Sequence, residues 1–305
     1  MNRFLWKWWM GCASLIALVA LAVIGHTYRA AAAPDWKAVE QAIGKAGSLM
    51  PGGVYRVGLP RTDLTVTVQG IRVEPAFALG SYAAFKPMGE QAMVMGDLVL
   101  RDEEVAPVMT RLLQGGFNVT AVHNHLNEMS PHVMYLHYGG HGDAVRLATA
   151  IHDALAASGT PLSSAPAASP AAGGPSFDPK QIESIMGHTG TLLNPRVFQV
   201  GVPRAETITE GGEELPPAMG VGMPFNFQDL GNGQAAITGD FVLIADEVNP
   251  VARALRANGI EVTALHNHAL GDQPRLFYMH FWAHDDALKL ARGLRAGLDL
   301  TNSRK

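Results

Sequence analysis

The sequence predicts an α+β fold of two tandem homologous repeats, each a mainly antiparallel sheet flanked by helices, packed together as an intrachain pseudo-dimer. Three observations carry that expectation. Residues 35–155 match residues 178–298 at a constant offset of 143, with 38 identities in 121 positions; the repeat is therefore domain-sized rather than a solenoid unit. Within each copy, apolar runs bounded by Gly and Pro mix with segments of helical periodicity, and the strands fall in hairpin-like pairs. Between the copies, 17 of the 19 residues from Ser158 to Ser176 are Ser, Ala, Pro or Gly, too little apolar surface to order a segment, so the stretch reads as a linker. The expected boundaries are 34–157 and 178–300 for the repeats and 158–177 for the linker.

Each element has its own warrant. A helix opens at Asp35, an apt N-cap, with Trp36, Val39 and Ile43 on one face. Its counterpart opens at Asp178-Pro179, with Ile182, Ile185 and Met186 following. Strands are expected near Val54–Leu59, Thr65–Val73 and Ala92–Leu100. A second helix begins in Asp102-Glu103-Glu104, where negative charge complements the helix dipole. It carries Val105, Val108, Met109 and Leu112 and stops at Gly115-Gly116. Strands Asn118–His125 and Val133–Tyr138 precede a last helix from Asp143 to Leu155. Between residues 62 and 90 the offset of 143 yields no identity, while 142 recovers Pro75/Pro217, Gly80/Gly222 and Phe85/Phe227; that segment has drifted.

Composition narrows the function. The chain is 48% hydrophobic and 16% charged, yet its mean hydropathy of +0.09 is far from that of a multi-span membrane protein. Arg3 and Lys7 precede an apolar run from Met10 to Ile24, followed by Ala30-Ala31-Ala32-Ala33. Residues 1–33 therefore read as a secretory signal peptide leading to a periplasm or the cell exterior, the alternative being an uncleaved membrane tether. Cys12 lies ahead of the apolar run, the reverse of a lipobox. As the single cysteine, it would leave with the signal, which excludes disulfides, zinc ribbons, iron–sulfur clusters and cysteine hydrolases. Residues 34–305 carry 20 basic against 27 acidic side chains and no Lys/Arg cluster. A nucleic-acid partner is excluded, and no transmembrane domain is expected after signal removal. Small molecules or envelope components remain as partners.

Eight of the twelve histidines occupy four matched pairs of positions. Copy one has His123-Asn124-His125, His137 and His141; copy two has His266-Asn267-His268, His280 and His284. Tyr135/Tyr278 and Asp143/Asp286 match around them. On a strand, side chains at i and i+2 share a face about 6.5–7 Å apart. A hairpin closed by residues 126–132 would set His123 opposite His137 and His125 opposite Tyr135, with His141 at the mouth of the next helix. Converging imidazoles near a carboxylate are a first shell for zinc, copper, manganese or iron. Glu128 offers a carboxylate in copy one; copy two has Gly271 there and Asp272 beside it.

Plainer readings stand beside this one. Strand histidines also serve as hydrogen-bonding core residues or as acid/base groups, Asp143 and Asp286 as N-caps, and Tyr135 and Tyr278 as core aromatics. Gly231-Asn232-Gly233-Gln234-Ala235-Ala236 leads into a strand, not a helix, and is not a dinucleotide loop. Arg61 and Arg204, which recur after Gly-x-Pro, read as surface salt-bridge partners in preference to an anion site, and Asp97 and Asp240, each after a glycine, as strand-end turn residues.

The string Val119-Thr120-Ala121-Val122-His123-Asn124-His125, with Pro131, Tyr135-Leu136-His137 and His141-Gly142-Asp143-Ala144, resembles the LppY/LpqO family of bacterial exported proteins. So do Gly96-Asp97-Leu98 and, in copy two, Val262-Thr263-Ala264-Leu265-His266-Asn267-His268 with Tyr278-Met279-His280. The resemblance spans the mature chain and implies export and a repeated domain of unknown function, not a reaction. The residues themselves point to an exported protein binding a divalent metal through His123, His125, His137, His141 and their counterparts, as a metal-dependent hydrolase or oxidoreductase. The alternative is a non-catalytic envelope binding or interaction module whose histidines line a ligand groove.

Overall fold

Asp35 caps the first helix as its sequence requires, its carboxylate accepting from the backbone N–H of Lys37 and Ala38. The structure, a computed structural model, describes residues 34–162 and 173–305; the expected signal peptide and the linker centre, 163–172, lie outside the described residues. Repeat one runs α1 (Trp36–Ile43), β1 (Ser48–Met50), β2 (Val54–Pro60), β3 (Val66–Val68), β4 (Ile71–Val73), α2 (Pro75–Ala78), β5 (Gly80–Met88) and β6 (Gln91–Arg101). It continues through α3 (Asp102–Gln114), β7 (Asn118–His123), β8 (Met129–Ser130), β9 (Val133–Gly142) and α4 (Ala144–Leu155). Repeat two runs α5 (Pro179–Met186), β10 (Gly190–Asn194), β11 (Val197–Val202), β12 (Thr209–Glu210), β13 (Glu213–Glu214), β14 (Met223–Gly231) and β15 (Gln234–Leu243). It ends with α6 (Ala245–Ala257), β16 (Glu261–His266), β17 (Asp272–Gln273), β18 (Phe277–Asp286) and α7 (Ala287–Leu298).

The two main sheets have the same antiparallel order, β1-β2-β5-β6-β9-β7 and β10-β11-β14-β15-β18-β16. The fold is therefore α+β with two equivalent six-stranded sheets. Each sheet packs its own helices on one face: Ala83, Phe85 and Val94 share a core with Val108 and Ile151. The other face turns to the partner repeat, since Tyr82, Ala84, Met93 and Met95 join the core built by repeat two.

The drifted segment departs from expectation. Thr65–Val73 is not one strand of the main sheet but two three-residue strands joined at Gln69-Gly70. Both turn residues have positive φ, as a two-residue hairpin loop demands. This hairpin pairs with β8 in a small sheet of its own, and β12, β13 and β17 form its counterpart.

Arg61 and Arg204 are not surface residues but are buried at 0% and 2% exposure. Arg61 pairs with Glu104 at 2.6 Å and Asp63 at 2.9 Å, and donates to the Val99 carbonyl. Arg204 repeats the arrangement with Glu247, Glu206 and Val242. The same glutamates accept the backbone N–H of Gly159 and Asn302, which fastens the segment after each last helix. The linker is thus packed at its near end, where Thr160 is buried, and at its far end, where Ser176 bonds Asp229.

Candidate functional site

The repeats meet through a reciprocal set of hydrogen bonds made by the duplicated motifs. Asn124 Nδ2 donates to the Thr263 carbonyl (3.0 Å) and Asn267 Nδ2 to the Thr120 carbonyl (2.9 Å). Thr263 Oγ1 donates to the His125 carbonyl (2.6 Å) and Thr120 Oγ1 to the His268 carbonyl (2.8 Å). Each contact has its mirror at the matched position, the signature of an isologous interface within one chain. The asparagine of His-Asn-His is the clamp, and it turns the flanking histidines inward.

Six imidazoles consequently form one cluster. Rings of His123 and His266 stack at 3.6 Å between centroids, His125 and His280 at 3.5 Å, and His137 and His268 at 3.9 Å. Every one of these pairs crosses the repeat boundary. One ring nitrogen each from His123, His266 and His280 lie within 4.8 Å of one another, and so do those of His137, His266 and His268. A tetrahedral ion with bonds of about 2.0–2.1 Å would set its nitrogens about 3.3 Å apart, so closure needs only small ring movements.

Hydrogen bonds to backbone carbonyls orient three of the rings. Nδ1 of His123 bonds the Asn124 carbonyl (2.7 Å), Nδ1 of His268 the Gly220 carbonyl (2.9 Å) and Nδ1 of His280 the Gly239 carbonyl (2.9 Å). A carbonyl partner places the proton on Nδ1 and leaves Nε2 a lone pair, the arrangement that metal-ligating histidines adopt. Nε2 of His123 and His137 share a hydrogen bond at 3.0 Å, as do those of His266 and His268, contacts that a bound ion would replace. Nδ1 of His125, Nδ1 of His266, Nε2 of His280, the Tyr278 hydroxyl and one oxygen each of Asp97 and Asp240 are buried without a hydrogen-bond partner. Buried polar atoms are rarely left this way, and an ion amid the nitrogens would satisfy several at once. The residues fit a metal.

Asp97 and Asp240 belong to this site and are not strand-end turn residues. They lie within β6 and β15, paired in register with His137 and His280. Asp240 Oδ1 is 2.8 Å from His280 Nδ1, an ion-pair distance without hydrogen-bond geometry because the N–H is aimed at Gly239. Asp97 Oδ1 is 3.9 Å from His137 Nε2.

The electrostatics single out one place for positive charge. Burial, then the charge at His280, lowers His123 to about 3, and burial lowers His268 to about 4. Burial likewise depresses His125, His137 and His266. His280 moves the other way: burial opposes its charge, but the adjacent Asp240 carboxylate outweighs it. Asp240 itself is pushed up by burial, more than offset by His280, and stays below the usual carboxylate range. Asp97, with no such direct partner, is raised by burial to about 8. Five rings are held neutral, next to one ionised and one protonated carboxyl.

The remaining candidates fall elsewhere. His141 and His284 are exposed. Strand β9 runs on to Gly142 instead of ending at Tyr138, which carries His141 about 13 Å along the strand from His137. The expected register is also corrected: His123 faces Tyr135 and Ala121 faces His137, with His266/Tyr278 and Ala264/His280 equivalent. Strand β7 stops at His123, and β8 leaves to pair with β3, so no tight hairpin forms and His125 sits in a loop. Glu128 is exposed in that loop with φ of 55°. Asp143 and Asp286 are N-caps, accepting from the backbone N–H of Arg146 and Lys289. Tyr278 stacks on His268 at 3.4 Å, and Tyr135 lies against His125 at 4.5 Å while its hydroxyl donates to the Ala78 carbonyl.

A family model described as Domain of Unknown Function (DUF1259) matches residues 37–157 and again 180–300. No curated protein matches the chain. Among solved structures, the crystal structure of EtuB from Clostridium kluyveri is similar at 7% identity over 83% of this chain and 90% of that one, with a TM-score of 0.19. A likeness that slight carries no argument.

Proposed function

We propose that this chain, which belongs to the DUF1259 family in both of its repeats, holds a divalent-metal centre between them and uses it on a small molecule. The observation that supports this is the cluster of six rings from two repeats around buried nitrogens that have no protein partner. When bound, an ion of zinc, copper, manganese or iron supplies Lewis acidity or, for the redox-active metals, electron transfer. The chain's own residues do the rest. Backbone carbonyls hold the rings of His123, His268 and His280, the Asp240 carboxylate stabilises charge at His280, and Asp97, its carboxyl raised by burial, stands beside His137. A metal-dependent hydrolase or oxidoreductase fits this set, and the absence of a thiol from residues 34–305 leaves the histidines as its ligands. The N-terminal segment and the LppY/LpqO resemblance support action outside the cytoplasm. Among the described residues no helix is long and apolar enough to cross a membrane.

Elemental analysis of the purified chain tests the proposal. Stoichiometric metal is expected, lost when His123 and His125 are both changed to alanine. Metal-free protein whose thermal stability is the same with and without a chelator overturns it.

A further inference from the structure

The histidine cluster does not account for the cavity of about 780 Å³ that opens beside it, with Asp97, Asp240 and His268 in its wall. That volume is in the range of small-molecule sites, about 300–1,000 Å³. Arg56 projects into the same cavity from β2. Its guanidinium lies 3.5 Å over the Tyr82 ring centroid, and one N–H is given to the Ala218 carbonyl at 2.7 Å. Stacking fixes the plane of the fork and leaves its other donors free. Among the described residues Arg56 forms no ion pair with a carboxylate.

The duplication shows that the fold does not need this arginine. The matched residue in repeat two is Gln199, whose amide is used on Asn226, and the register counterpart of Tyr82 is Pro224. A guanidinium stacked on a phenol therefore occurs in one repeat only, on the wall of the large cavity. The same cavity is also lined by apolar residues of the segment before β14, among them Ile208, Leu215 and Val221.

We propose that this cavity binds a small organic carboxylate, its carboxylate paired with Arg56, its apolar body along Ile208, Leu215 and Val221, and its far end at Asp97, Asp240 and His268. One planar fork matches one carboxylate bidentately, whereas the ionised Asp240 in the wall disfavours a multiply charged phosphate. The binding stands on the cavity alone; only the idea that the bound molecule is the substrate rests on the proposed metal centre.

Calorimetric titration of the full chain, chelator-treated and metal-supplemented, tests this with hexanoate, hexanol and inorganic phosphate as probes. Hexanoate is expected to bind both preparations, and hexanol and phosphate to bind neither measurably. Arg56→Gln, the residue repeat two already carries at the matched position, should weaken hexanoate about 10–100-fold, in line with loss of a charge-assisted pair. Arg56→Lys, which keeps the charge and loses the fork, should fall between and serves if the glutamine variant misfolds. Hexanoate binding that is absent from the wild type, unchanged in both variants, or weaker than that of phosphate overturns the proposal. Hexanoate binding in a chain that never carries metal would sink the metal centre and leave the cavity assignment standing.

Discussion

At His280 two demands meet that no other ring in the cluster faces together. Its Nδ1 proton is fixed by the Gly239 carbonyl with the Asp240 carboxylate beside it, and its Nε2 is buried without a partner. Asp240 thus raises the basicity of this ring while burial lowers that of the other five. Asp240→Asn keeps the shape and removes the charge, so metal affinity should fall about 10–100-fold, as when other carboxylates beside metal-ligating histidines are lost. Competition against a chromophoric chelator measures this, and wild-type affinity in the variant would show that Asp240 is a bystander. His141→Ala and His284→Ala, both remote from the cluster, should retain full metal content. The six clustered histidines were legible because duplication marks their spacing. Asp97 and Asp240 were not, since Gly-Asp reads locally as a turn and only the pairing of β6 with β9 and β15 with β18 sets them beside His137 and His280.

Strand β6 was legible although both of its faces are buried, with Met93 and Met95 in one core and Val94 and Leu98 in the other, whereas its neighbour β5 was not. Strand β5 alternates between two cores, Ala83 and Phe85 on its own helices and Tyr82 and Ala84 towards repeat two, so its sequence is a continuous apolar run with no period of two. The ends of elements depend on contacts that local sequence does not display, and the ion pair binding β2 to α3 is one of them. Burial pushes Glu104 up, but Arg61 and the backbone N–H groups of Arg101 and Gly159 more than reverse this and hold it below its ordinary 4.5. A carboxyl depressed in the folded state adds stability that is complete above the unfolded pKa and is lost as pH falls through the folded one. Thermal stability should therefore drop below about pH 4.5 in part through Glu104. Glu104→Gln should lower stability at pH 7 by about 1–3 kcal/mol, since it removes one of the two carboxylates that face the buried guanidinium and leaves Asp63 as the other. The variant should also have a shallower acid slope in thermal melts; an unchanged slope would assign the acid sensitivity to other groups.

At the scale of the molecule, the question is whether duplication made two sites or one. The sequence alone is compatible with a site in each repeat, because each copy carries a complete set of histidines. The reciprocal Asn124–Thr263 and Asn267–Thr120 clamps favour one, since they draw the loops after β7 and β16 onto each other and interleave the rings. His266 is common to both nitrogen trios, one shared with His123 and His280 and the other with His137 and His268. A single substitution, His266→Ala, should therefore abolish metal binding throughout the chain even though every histidine of repeat one is intact. Two independent sites would instead retain about half the metal, bound by repeat one with wild-type affinity. Metal titration of His266→Ala, with circular dichroism to show that the fold persists, separates the two outcomes. Half occupancy would mean that the rings stacked across the interface are neighbours without being partners.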